Sequence, residues 1–306
     1  ELTANCSDNL GRVRALSRYV QNLRYVSVTK GLNLGLGFRP RKATEVLAKG
    51  WGDCKAKANL LRAMLREIGI ESYMTSALAF GGRRLNESWC SPSQFDHAIL
   101  GIRLDEASSL PATAEVAGLG RLLFFDPTDP DVLLGNLPLG LQGSKVHVIA
   151  PAGDGLTTLP RLPAATHHCS HRKVQLDLDA SGSVGGACSI AGQGSYGAYM
   201  RERIRTKTAK DLHTFYTKYI ADTVRGAALE DLATADDAVA GECRVDVRFK
   251  AANFAQHMPG GLAVVRLDVL SRDGVPVFPA KERKLPIWLP PLEIDDYVTL
   301  QLPPGW

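Results

Sequence analysis

At residues 50–57 the chain reads GWGDCKAK, a turn bracketed by Gly50 and Gly52 that delivers Cys54 onto the first turn of an amphipathic segment. Leu60, Leu61, Met64, Leu65 and Ile68 recur at helical spacing, and Gly69 closes the run. A helix with one apolar stripe must bury it against another element, so this segment anchors a core. The first turn of a helix also has backbone N–H groups with no internal partner and the positive end of the helix dipole. A thiolate there is stabilised, and its pKa falls from roughly 8.5 toward neutrality or below. Position alone therefore makes Cys54 a candidate nucleophile.

A length of 306 residues accommodates one large or two ordinary domains. A net charge of +4 is mild for that length, and no dense Lys/Arg run is present, which argues against a nucleic-acid partner. Residues 201–210 alternate charges with apolar residues and Thr, and are expected to form the solvated face of a helix. No stretch of about 18 apolar residues exists, so no transmembrane segment is expected. The sequence starts at Glu1 with no visible signal peptide, and is expected to be a processed or excised piece. Cys6, Cys54, Cys90, Cys169, Cys188 and Cys243 are too scattered for a disulfide framework. Cys188 and Cys243, both in strand-like segments, could pair, but are expected to be buried free thiols.

The first half reads as helical and then strand-rich. Leu10, Val13, Leu16, Val20 and Leu23 define a helix over residues 8–25, with Ser7 or Asp8 as N-cap. Residues 31–40 form a glycine-rich loop and residues 44–47 a short helical turn. Residues 71–80, 95–104 and 121–126 read as strands, the last ended by Pro127. Residues 149–166, rich in Pro, Gly and Thr, hold the domain boundary. The division expected is a core over 1–150, a linker over 151–166 and a β-rich domain over 167–306. In the latter, residues 174–178 and 183–190 form a hairpin around Asp179-Ala180-Ser181-Gly182. A helix near 196–222 and strands at 243–249, 262–270 and 297–302 follow.

A nucleophilic cysteine needs a base, and the base needs an orienting group. Downstream of Cys54 lies QFDHAIL, with His97 at the start of an apolar strand, and then FFDPTD, with Asp126 at the end of another. A helix-start Cys, a strand His and a neighbouring-strand Asp form the arrangement of a Cys-His-Asp triad. Each residue alone has an ordinary structural explanation; the ordered combination carries the signal.

The run GWGDCKAKANLLRAMLREIGIES, then FDHAIL, then FFDPTDP, resembles the transglutaminase-like superfamily, a branch of the papain-like cysteine enzymes. FRPRKATEVLAKG resembles the segment leading into the cysteine of bacterial members, and the resemblance covers roughly residues 8–148. It implies an α+β fold, in which the nucleophile helix packs on an antiparallel sheet and a β-rich domain follows. It also implies that Cys54 is the nucleophile, His97 the general base and acid, and Asp126 the orienting carboxylate. The region after residue 166, including PIWLPP and the final LPPG, is similar to the β-rich C-terminal extension of those bacterial proteins, and the resemblance implies adjoining domains missing from this piece. A periplasmic or secreted location follows from the same resemblance, with the cytoplasm as the alternative.

The implied chemistry is acyl transfer through a thioester on a peptide or protein amide, with no cofactor and no metal. Water as acceptor makes the protein a peptidase or amidase, and an amine makes it a crosslinking transamidase. A binding or scaffold module with an idle triad is the rival from another class. Trp51, Asp53 and Lys55 are candidates for contacting the substrate or the oxyanion. Lys55 and Lys57 are expected either to be solvent-exposed or to supply a field favouring the thiolate or an acidic substrate. Residues 167–171 (HHCSH) have metal-ligand composition but no second cluster at zinc-like spacing. Asp126, Asp129 and Asp131 lack the glycine and distal Glu of a calcium loop and read as a capped turn. Residues 31–37 look superficially like a phosphate loop, but no Lys-Ser/Thr follows.

Overall fold

The computed structural model describes residues 1–27, 39–79, 85–89, 91–103, 109–151, 155–237, 240–267, 269, 282 and 291–306. Residues 31–38 of the glycine-rich loop, Cys90 and residues 286–290 of PIWLPP lie outside the described residues. The chain divides into two compact units, Glu1–Leu162 and Pro163–Trp306.

Unit 1 opens with α1 (Asn9–Gln21), whose N-cap Asp8 accepts the Gly11 N–H at 2.6 Å. Its apolar stripe buries Val13, Leu16 and Val20. The helix stops at Gln21, and the chain turns into β1 (Arg24–Tyr25), so the expected helix is shorter than its hydrophobic pattern. Then come α2 (Ala43–Lys49), β2 (Trp51–Gly52) and α3 (Cys54–Glu67). Strands β3 (Ser72–Ala77), β4 (His97–Arg103), β5 (Thr113–Val116), β6 (Gly120–Phe125), β7 (Lys145–Val148) and β8 (Leu156–Thr158) complete the unit. They form one six-stranded sheet in the order β5-β6-β4-β3-β7-β8, with every pairing antiparallel.

α3 packs on β3 and β4 through Ala56, Leu60, Leu61 and Leu65, all buried. Ile99–Ile102 on β4 and Leu122–Phe125 on β6 are buried without alternation, the pattern of strands covered on both faces. Strand β8 pairs with β7, so the end of the Pro- and Gly-rich stretch belongs to the unit 1 sheet, and unit 2 starts at Pro163.

Unit 2 comprises α4 (Ala164–His167), β9 (Cys169–Leu178), β10 (Val184–Gln193), α5 (Gly194–Thr206), α6 (Ala209–Ala221), β11 (Ala228–Asp237), β12 (Glu242–Ala251), β13 (Gln256–Met258), β14 (Leu262–Val264) and β15 (Glu293–Gln301). A five-stranded sheet runs β11-β12-β10-β9-β15, antiparallel except for the parallel β15–β9 pair. Val174, Leu176 and Leu178 alternate with exposed Lys173, Gln175 and Asp177, so β9 buries one face. Met200 of α5 and Leu212, Tyr216 and Ile220 of α6 join the same apolar cluster.

The single helix expected near 196–222 is two. Thr208 breaks it, because its side chain caps the Asp211 N–H while the Asp211 carboxylate accepts the Thr208 N–H. Arg201, expected on a solvated face, is buried on α5, its Nε 2.7 Å from Asp236 Oδ1. Cys188 faces Val247 and Cys243 faces Gly192 across the β10–β12 pair, so the two buried cysteines are not paired with each other in a disulfide. Residues of the HHCSH run point to separate partners: His167 to Thr166, His168 to Ser195 and His171 to Asp295.

Candidate functional site

The turn into α3 is built from its two glycines. Gly50 ends α2 in the left-handed conformation (φ +70°), and its N–H caps Val46 O at 2.9 Å. At Gly52 a Cβ would stand 2.9 Å from the Ala56 Cβ, so the chain closes on its own helix only without a side chain there. Asp53 is the N-cap, its Oδ1 accepting the Ala56 N–H at 3.0 Å, and Cys54 becomes the first helical residue. The neighbouring β1–β2 pair is parallel and sets Tyr25 opposite Gly52.

His97 opens β4, next to β3 and β6 in the sheet. Asp126 follows the last residue of β6. Its Oδ2 lies 2.8 Å from His97 Nε2, and both side chains are nearly buried. Asp126 Oδ1 accepts from the Thr128 N–H at 2.9 Å and the Thr128 hydroxyl at 2.6 Å, so the carboxylate is held on both oxygens. Because Nε2 faces Asp126, Nδ1 is the nitrogen left for Cys54, with which His97 also makes a side-chain hydrogen bond.

The electrostatics follow from that chain. Burial opposes the Cys54 thiolate, but the hydrogen bond and charge of His97, with the Ala98 backbone N–H, outweigh it and lower the thiol's pKa. Burial likewise opposes charge on His97, yet Asp126 and Cys54 prevail and push its pKa up to about 10. Asp126 is held below the usual carboxylate range: burial works against its charge, and His97 and Thr128 overcome it. All three directions favour a thiolate–imidazolium pair backed by a carboxylate.

The loop that carries Asp126 is tied to α1. Gln21 Nε2 donates to the carbonyls of Asp129 (2.6 Å) and Val132 (2.7 Å), and Arg18 donates to Pro130 O at 2.6 Å. Asp129 Oδ1 accepts the Asp131 N–H, so DPTDPD is a sequence of capped turns. Among the described residues no group of three or more His, Cys, Asp or Glu is arranged to hold a metal ion.

The remaining candidates are engaged locally. Asp53 spends its second oxygen on an ion pair with Lys55. The Trp51 ring lies under the Arg41 guanidinium at 4.8 Å and near the Lys49 ammonium at 5.9 Å. Lys57 overturns the expectation of solvent exposure. It is fully buried, and Nζ donates to Gln21 O and Leu23 O, each at 3.0 Å, capping the C-terminal end of α1. Desolvation lowers its pKa to about 8, against the pull of Asp126 and Asp129. Its position gave the signal: it precedes Leu60 and Leu61 by three and four residues, on the apolar stripe.

The family model described as the transglutaminase-like superfamily matches residues 1–106. That segment is similar to a transglutaminase-like core. The match spans Cys54 and His97, and Asp126 lies beyond its end. A solved structure described as a "putative protease" from Parabacteroides distasonis ATCC 8503 is similar to the chain, with 12% identity and a TM-score of 0.39. The similarity covers 85% of this chain and 49% of that one, so the chain spans about half the length of that structure. Comparison with curated proteins finds no match. No described helix is long and apolar enough to cross a membrane.

Proposed function

We propose that unit 1 is a cysteine-dependent acyl-transfer enzyme acting on peptide or protein amides, with hydrolysis as its outcome. The observation that carries this reading is the hydrogen-bonded chain from Asp126 through His97 to Cys54, at the start of a helix whose dipole favours an anion. Cys54 Sγ attacks the carbonyl carbon, and the carbonyl π pair moves onto oxygen. The Cys54 backbone N–H, unpaired within α3, is a donor for that oxyanion. Collapse breaks the C–N bond, the departing amine takes the proton from His97, and a thioester to Cys54 remains. Water, deprotonated by His97, then releases the acid and regenerates the thiolate. Asp126 holds the imidazole orientation throughout.

The test is a peptide library incubated with the protein, with and without an added primary amine, and followed by mass. The reading expects cleaved peptides with newly formed carboxylates, lost in a Cys54→Ala variant. Amine adducts in place of acids would make the protein a transamidase. Unchanged peptides and no acyl-enzyme on Cys54 would leave a binding module and defeat the enzymatic reading.

A further inference from the structure

Residues 24–52, which lead into the nucleophile turn, hold six Lys and Arg against one acid, Glu45. That is a net +5 in one segment, whereas the whole chain carries +4. The structure gathers part of this charge around a single indole. Arg41 lays its guanidinium 4.8 Å from the centre of the Trp51 ring, and the Lys49 ammonium stands 5.9 Å from it. Exposed Arg24 is level with Trp51 across the parallel β1–β2 pair. The chain at Arg41 is fixed, because Asn59 Nδ2 of the nucleophile helix donates to Arg41 O at 2.9 Å. Among the described residues no carboxylate forms an ion pair with Arg24, Arg41 or Lys49. The two lysines closer in sequence to Cys54 are both engaged: Lys55 pairs with Asp53, and Lys57 caps the end of α1.

We propose that Arg41 and Lys49 over Trp51, with Arg24 alongside, form a specificity site for acidic side chains, so that the substrate is a peptide with Asp or Glu close to the reacting amide. This rests on the acyl-transfer reading and names the substrate class of its site. Cations gathered on one surface without a counter-ion repel one another, and a carboxylate set among them is attracted by all. Stacking on the indole offsets part of that repulsion and orders the guanidinium, whose N–H edge is left for the two oxygens of a carboxylate. Lys49, in the last turn of α2, also suits the dipole of that helix, but the dipole asks nothing of Arg24 or Arg41. Trp51 is three residues from Cys54, so their Cα atoms are at most about 11 Å apart. An extended peptide covers that distance in three or four residues, which puts the acidic side chain within about four positions of the reacting amide. Carboxylates are the anions a peptide itself carries, so the peptide reading selects Asp and Glu over other anions.

Protection of Cys54 tests this. An acidic peptide bound on the patch covers the nearby thiol, and iodoacetamide, a small neutral reagent, reports what stays uncovered. The Cys54 alkylation rate is read by peptide mass in the presence of octaglutamate, octaglutamine or octalysine, at low and at high salt. Octaglutamate should protect wild-type Cys54 at a concentration about tenfold below octaglutamine, octalysine should not protect, and high salt should erase the difference. In Arg41→Gln/Lys49→Gln the preference for octaglutamate over octaglutamine should disappear. That preference is a ratio taken within one variant, so a change in the reactivity of the thiol itself cancels. Lys49→Gln alone, at an exposed position, should lower it about threefold and serves if the double variant does not fold. Equal protection by octaglutamate and octaglutamine in wild-type protein, or a preference that survives both substitutions, would overturn the proposal. So would equal protection by an oligothymidylate of the same charge, which would show a patch that reads charge and not peptide. Failure of the underlying enzymatic reading looks different: wild-type Cys54 would then not react ahead of the other cysteines even with no peptide added.

Discussion

Lys57→Met removes an ammonium from the core while keeping most of its stem, and the structure sets the size of the effect. Gln21 O and Leu23 O, at and just past the end of α1, both lose their donor. A buried acceptor left unpaired costs about 1–3 kcal/mol, and Leu23 O is only partly buried, so the pair amounts to roughly 2–4 kcal/mol. For a unit of 162 residues this corresponds to a melting-temperature drop of about 5–15 °C. The effect also depends on pH. Because the folded-state pKa lies near 8 and the ordinary value is 10.5, the unfolded chain binds more protons in that window. The wild-type protein therefore gains stability from Lys57 as pH rises through it. The neutral amine still has two N–H donors for its two carbonyls, so nothing is lost on deprotonation. Urea and thermal unfolding at pH 7 and pH 10 should thus give a larger Lys57→Met penalty at the higher pH. A loss below about 0.5 kcal/mol, or a penalty that shrinks with pH, would refute the capping role of Lys57.

Asp126→Asn should leave the fold intact and slow p-nitrophenyl acetate acylation of Cys54 by about 10³-fold, because the imidazolium loses its carboxylate and its fixed tautomer. The same variant tests the titration of His97. With its pKa raised to about 10, wild-type His97 contributes stability that is full below its unfolded value and lost as pH rises through about 10. Unfolding titrations of Asp126→Asn should lack most of that high-pH decline. Thr208→Ala should cost about 1 kcal/mol by removing the α6 cap, read as faster hydrogen exchange in the first turn of α6 with no change in Cys54 alkylation.

What was legible in the sequence was local. The α3 stripe, the Asp53–Cys54 entry and the strand beginning at His97 all follow from residue spacing within a dozen positions. Asp126 was legible because Pro127 ends its strand and Thr128 supplies the turn that holds it. Strand β11 was hidden by its own chemistry: Glu230, Asp231, Asp236 and Asp237 make it polar, and its place comes from hydrogen bonds to β12. The break between α5 and α6 contains neither Gly nor Pro, although Thr208 followed three residues later by Asp211 did spell a capping box. Arg201 is buried because Asp236, 35 residues away, meets it, and spacing carries no trace of that. The pairing of Arg24 with Trp51 and the partners of Lys57 depend in the same way on how α1 and β1 dock against the nucleophile turn, a long-range fact set by the whole core.

The central claim is that Cys54 is a thiolate held by His97 and Asp126. The most direct measurement is the rate of iodoacetamide modification at each cysteine between pH 4 and pH 9, read by peptide mass, in wild-type protein and in His97→Ala. The account predicts that wild-type Cys54 reacts well ahead of the other five cysteines at pH 6. Its rate should stay flat as pH rises from there, and the His97→Ala rate should climb toward an ordinary thiol titration. A wild-type Cys54 that reacts no faster than Cys6 at pH 6, or whose rate is unchanged by His97→Ala, would contradict it.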